Sequence, residues 1–234
     1  MTPGPVLVVV ETEDGAPSGI SVELIAAATD IANGASEVVA ICLGSKIVES
    51  IGRSLSARGA NQVVLVDDPV FEPYIADAWV HELTLLAREY KPSAIIFPDS
   101  TFGADAAPRL AFRLETAVVT GCIGVDNVDG ETHWTRSCYG GNAREVVTLL
   151  TEPGIATVRA RSFDPLPEVM DAAGNFDQRS ATVSRSNPRT WVTKKSENKE
   201  SSARLETANI VVSGGRGLGG PPQFEQLEEL ADLL

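Results

Sequence analysis

The segment of this 234-residue sequence best suited to chemistry is "NIVVSGGRGLGGPPQFEQLEELADLL", Asn209 to Leu234. It reads as a strand, a glycine turn and a helix. Within it Gly215, Gly217 and Gly220 form a G-x-G-x-x-G, a spacing that can aim backbone N–H groups and a helix N-terminus at a phosphate. Arg216 stands between two of those glycines, where a guanidinium beside bare backbone can reach a pyrophosphate bidentately. An arginine on a solvent-exposed turn fits the same spacing. A dinucleotide fold also needs an acidic residue about 20 positions further on to hold the ribose, and the sequence does not reach it.

A second candidate is "FPDSTFGADAAPRLAFRLE", which follows an apolar run and falls where an open parallel sheet places its binding loops. There Ser100 or Thr101 can cap a helix, Gly103 permits a close backbone approach, and Asp105 and Arg109 can pair four residues apart. A well-capped surface helix explains the same residues. "CYGGNA" (Cys138–Ala143) reads as a turn between strands before it reads as a ligand loop. His81 and His133, the two histidines, have no Ser, Cys or His at a triad or metal spacing, and no Walker A motif or nucleophile elbow is present. No catalytic residue and no metal ligand is assigned.

The elements that position these segments alternate. "VLVVV" (Val6–Val10), "EVVAICL" (Glu37–Leu43), "QVVLV" (Gln62–Val66) and "AIIF" (Ala94–Phe97) are apolar runs of strand length, expected to be buried on both faces. Helical patterns lie between them at Ser21–Asn33, Lys46–Arg58, Glu72–Tyr90 and Ala104–Leu114, with Gly34 and Gly59 as stops. Strands alternating with helices imply an α/β fold with a mostly parallel sheet and helices on both faces. After Glu115 the runs are β-rich and separated by turns, which predicts an antiparallel or mixed extension over Ala117–Ala160. Ser186–Ala208 is polar and reads as a linker. The expected layout is an amino-terminal domain over 1–185, a flexible linker over 186–208 and the start of a second α/β domain over 209–234. Phe224, Leu227, Leu230 and Leu234 share one helical face that a lone strand and helix cannot bury.

With 32 acidic and 19 basic residues the net charge is -13, which repels a phosphate backbone and argues against nucleic acid. No stretch approaches the roughly 20 apolar residues of a membrane span, and the amino terminus lacks a basic region ahead of an apolar one, so a cytoplasmic protein without membrane insertion is expected. Cys42, Cys122 and Cys138 show no C-x-x-C spacing and read as ordinary buried thiols.

Taken together, "TFGADAAPRLA" (Thr101–Ala111), "YGGNA" (Tyr139–Ala143), "TVRARSFDP" (Thr157–Pro165) and "VVSGGRGL" (Val211–Leu218) followed by "FEQLEELADLL" resemble the alpha subunit of electron transfer flavoprotein, in matching order along the chain. The resemblance implies an adenine nucleotide alpha-hydrolase-like amino-terminal domain that packs on a beta subunit, joined by a hinge to a flavodoxin-like domain carrying FAD. It implies that Arg216 contacts the FAD phosphates and that the complete protein is an electron carrier, not an enzyme, serving flavin dehydrogenases such as acyl-CoA dehydrogenases of fatty acid beta-oxidation. The family continues with a Ser-Arg motif, a Gly-Gln-Thr-Gly loop, a Ser-Gly-Ala stretch and an Asn-Lys-Asp turn. None of these follows Arg216 here, so the resemblance implies a flavin domain cut short, and a chain that alone does not retain FAD. "GLGGPPQF" also departs from the lysine and polar residues usual after the arginine turn. Two other readings remain open at this point: a nucleotide-binding enzyme using Ser100–Asp105, and a scaffold subunit without redox function.

Overall fold

Val6, Val8 and Val10 point to one side of the first strand and Leu7 and Val9 to the other, and all five are buried. Both sides must therefore be covered. The computed structural model describes residues 3–13, 15–128, 130–170, 174–183, 190–194, 205 and 208–234, and the chain divides into two compact units, Met1–Trp191 and Val192–Leu234. Most of the expected linker lies outside the described residues.

In the first unit the order is β1 (Val6–Val10), a small hairpin of β2 (Thr12–Glu13) and β3 (Ala16–Pro17), α1 (Gly19–Ala32), β4 (Val38–Gly44), α2 (Glu49–Ala57), β5 (Gln62–Asp67), α3 (Ala76–Tyr90), β6 (Ala94–Pro98) and α4 (Thr101–Arg113). β7 (Val118–Val128), β8 (Glu131–Cys138), β9 (Ala143–Val147), β10 (Gly154–Val158) and β11 (Phe176–Arg179) follow. One nine-stranded sheet runs β11-β5-β4-β1-β6-β10-β7-β8-β9. It is parallel from β11 to β7, and β8 and β9 are antiparallel additions. One core lies between the sheet and residues of α1 and α2 such as Leu24, Ile25, Ile51 and Leu55; the other lies between the sheet and residues of α3 and α4 such as Trp79, Leu83 and Leu110.

Helix ends follow local chemistry. Ser18 caps α1 by accepting from the Ser21 amide at 3.4 Å, and the helix stops at Asn33 (φ 45°) ahead of Gly34 (φ 70°), both left-handed. α2 starts three residues later than the expected Lys46, because Lys46 is left-handed (φ 62°) and the Ile47 amide donates to Asp67 Oδ1 at 3.1 Å. α3 starts at Ala76, not Glu72. Pro69 opens a short 3-10 turn through Phe71, and Pro73 disfavours helical geometry in the residue before it.

Of the two arrangements expected for Ala117–Ala160, antiparallel or mixed, the structure has the mixed one: Gly154–Val158 forms β10, which lies in the interior of the sheet, parallel to both β6 and β7. Its burial explains the placement, since all five residues are buried, which only an interior strand covered on both faces allows. The extension consists of β7 to β9. Trp134 and Val125 pair across β7 and β8 and join the first core, and Trp134 is 1% exposed.

The second unit holds 3-10 turns at Arg216–Leu218 and Pro221–Phe224 and the helix α5 (Glu225–Asp232). The strand expected from Asn209 is not formed: Asn209–Gly215 has no strand partner among the described residues, and a lone strand leaves its backbone groups without a ladder.

Trp134→Ala is expected to lower unfolding free energy by about 3–5 kcal/mol in denaturant titration, the cost of a large buried cavity. Leu150→Ser, at a side chain that is 99% exposed, is expected to change it by less than about 0.5 kcal/mol.

Candidate functional site

Two places present polar groups and bare backbone together. In the second unit, each glycine around Arg216 has a distinct task. A Cβ on Gly214 would overlap the Leu218 side chain and lie 2.7 Å from Leu227 Cδ1, so this glycine lets the turn close against α5. Gly219 ends the 3-10 turn at φ 91°, with its amide donating to the Arg216 carbonyl at 3.1 Å. At Gly215 and Gly217 a Cβ would meet nothing within 4 Å, so the backbone on either side of Arg216 is open, and Arg216 is itself exposed.

The helix that follows does not complete an anion site. Pro221 and Pro222 carry no N–H, and Glu225 and Glu228 occupy the first turn of α5, where negative charge opposes a bound anion. The turn, not the helix N-terminus, is the part of this segment able to hold a phosphate. Of the apolar face expected on the helix, Phe224, Leu227 and Leu234 line an open groove together with Ile210 and Val212, and Leu230 lies outside it.

The second place is the carboxyl end of the parallel sheet, where strand order reverses between β1 and β6. Ser100 caps α4 by accepting from the Gly103 amide at 3.3 Å, and a Cβ on Gly103 would collide with the Pro98 carbonyl. Asp105 binds Arg109 at 2.7 Å and accepts from the Tyr74 hydroxyl at 2.9 Å. Burial and that carboxylate push the Tyr74 phenol above its ordinary range. Asp99 Oδ1 accepts from Thr157 Oγ1 at 2.7 Å, Thr157 Oγ1 accepts from the Gly121 amide at 2.9 Å, and Arg159 lies 3.6 Å from Asp99 Oδ2. The capping serine, the close glycine and the Asp105–Arg109 pair are as the sequence predicts. These groups bond to one another: Asp99 and Thr157 tie the carboxyl ends of β6, β7 and β10 together, and Asp105 ties Tyr74 to α4.

Sequence reasoning passed over Asp99 and Thr157. The signal available was a hydroxyl in the middle of "GIATV", since a fully buried threonine needs a partner. His81 is exposed on α3, and His133 Nε2 lies 3.7 Å from Glu131. Tyr139–Asn142 is a tight connection between β8 and β9, with Tyr139, Gly140 and Gly141 all left-handed and Asn142 Nδ2 donating to the Tyr139 carbonyl at 2.9 Å. Burial pushes the Cys42 and Cys122 thiols up to about 12, while Cys138 is half-buried, so the expectation of buried thiols holds for two of the three.

A model of the electron transfer flavoprotein domain matches residues 6–186. The chain belongs to the electron transfer flavoprotein domain family. It is 32% identical to the electron transfer flavoprotein subunit alpha of Thermoanaerobacterium thermosaccharolyticum over 96% of this chain and 68% of that protein. It is 34% identical to the corresponding subunit of Clostridium acetobutylicum, over 98% and 70%, and 32% identical to protein FixB of Clostridium saccharobutylicum, over 98% and 69%. The flavoprotein-domain match covers β1 to β11 and thus the carboxyl-end network. No helix among the described residues is long and apolar enough to cross a membrane.

Glu11, at the end of β1, offers a test of how closed the carboxyl end is. Burial raises its carboxyl above 4.5, partly offset by a bond from Ser100, and Glu13 adds repulsion. A raised folded value penalises the charged form, so the cost is absent below pH 4.5 and grows as pH rises through that value. Glu11→Gln is therefore expected to melt higher than the wild type at pH 7, with the difference vanishing toward pH 4 in thermal scans.

Proposed function

We propose that this chain is the alpha subunit of an electron transfer flavoprotein: a carrier that takes electrons from flavin dehydrogenases, acyl-CoA dehydrogenases among them, through FAD held together with a beta subunit in the cytoplasm. The observation that carries this reading is that relatives named electron transfer flavoprotein subunit alpha align over 96–98% of the chain. A carrier needs no acid–base residue of its own, because the cofactor supplies the reversible electron chemistry and the protein positions it. The mutual bonding of Asp99, Ser100, Asp105 and Thr157 with their neighbours agrees with that division of labour and leaves the nucleotide-enzyme alternative without a supporting feature.

Residues 1–185 are read as scaffold and subunit interface, 186–208 as a flexible linker and 209–234 as the start of the flavin domain. Among the described residues β9 is a terminal strand of the sheet, and Val128, Tyr139, Val146 and Leu150 expose apolar surface on or beside the extension, which suits a subunit contact. Arg216 is assigned to the FAD phosphates. The open backbone at Gly215 and Gly217 fits an approaching phosphate, and Arg216 is the one basic residue from Leu205 to Leu234.

Residues 209–234 offer a flavin one guanidinium and one glycine turn. A charge-assisted bidentate contact contributes about 1.5–3 kcal/mol, whereas immobilising the ligand costs at least about 4 kcal/mol. The chain by itself is expected to purify colourless. Extended over the further length its relatives have and co-expressed with a beta-type subunit, it is expected to be yellow, with Arg216→Ala weakening FAD retention roughly ten- to hundredfold in equilibrium dialysis. A stoichiometric flavin band from the isolated 234-residue chain, or undiminished retention in Arg216→Ala, would refute the assignment.

A further inference from the structure

After β10 the chain travels from the interior of the sheet to its far edge and then around it. Phe163 and Leu166 pack on the core under α1 and α2, with Leu166 seated over Gly59. Arg58 Nη1 donates to the Leu166 carbonyl at 2.9 Å, and the Val169 amide donates to the Ala57 carbonyl at 2.8 Å. β11 then pairs with the edge of β5, and the Phe176 ring fills the space left by Gly52. Beyond β11 the chain turns onto the opposite face, where Ala181 and Val183 pack on the core of α3 and α4. This belt touches both faces and closes one edge of the sheet.

Two carboxylates of α3 hold its end. Glu82 and Glu89 are seven residues apart and share one helix face. At the surface, Glu89 takes bonds of 2.6 and 2.7 Å from Arg179, which also meets Asp177 and the Tyr90 ring. Inside, Glu82 is 4% exposed, and its two oxygens accept from the Thr182 amide at 2.9 Å and the Thr182 hydroxyl at 3.2 Å. A buried carboxyl group needs partners for its oxygens, so the site favours whatever conformation keeps Thr182 there.

We infer that Glu82 is a clasp that fixes the end of the belt: with Thr182 held, Phe176–Val183 stays on the sheet as part of the rigid first unit, and without it β11 peels from β5 as one piece. The inference stands independently of the flavin reading. It concerns only contacts within the first unit.

Hydrogen exchange read by mass spectrometry on the full chain tests it. In Glu82→Ala, amides of Phe176–Val183 and of the facing β5 strand are expected to exchange at least tenfold faster, while β1, β6 and α1 keep their protection. Thr182→Ala, which removes the hydroxyl but keeps the amide, is expected to give a smaller increase over the same peptides. Should Glu82→Ala fail to fold, Thr182→Ala decides alone. Unchanged exchange over Phe176–Val183, or an increase spread evenly over the whole first unit, would overturn the clasp.

Discussion

Every other feature of the first unit depends on one constraint: a parallel sheet buried on both faces has to satisfy its backbone internally and its side chains twice over. Val6–Val10 meets that demand by alternating between two cores, and β4, β5, β6 and β10 repeat the solution. Such a sheet has no free face, and only strand ends and edges remain for anything else to use. The strand ends are tied together by Asp99, Thr157 and the Ser100 cap. One edge is closed by β11, and the other is β9.

That arrangement sets the two units in contrast. In the first, the polar groups at the carboxyl end of the sheet bond to one another. The second unit has the opposite character: its glycines keep the backbone around Arg216 bare, its apolar helix face lines an open groove, and Asn209–Gly215 has no strand partner among the described residues. Packing is dense through the two cores of the first unit, and Arg216 stands where packing is sparse.

Where hydrophobic period and length coincide, the sequence is a faithful guide: β1, β4, β5 and β6 and the helices between them fall within a few residues of expectation. It misleads where a local signal is shared by two long-range arrangements. "GIATV" looks the same as an edge strand and as an interior strand, and only the chain's return to pair with β6 distinguishes them. The Glu72 start fails because proline geometry outranks helical period. At the candidate site, Arg216 and its glycines are legible because turn chemistry is local. The Asp99–Thr157 bond spans 58 positions, and Glu82 finds Thr182 across 100. No spacing rule reaches so far, although a lone carboxylate on the apolar face of "WVHELTLL" signals that some partner must come to it.

The three thiols differ in a way that has practical weight. Cys42 and Cys122 are sealed in the core with thiols that resist ionisation, whereas Cys138 is half-buried. Toward a maleimide dye Cys138 is the thiol expected to react first, without any mutagenesis. It stands at the end of β8, beside the turn into β9, so the native sequence already carries a candidate attachment point for a fluorescent reporter on the antiparallel extension.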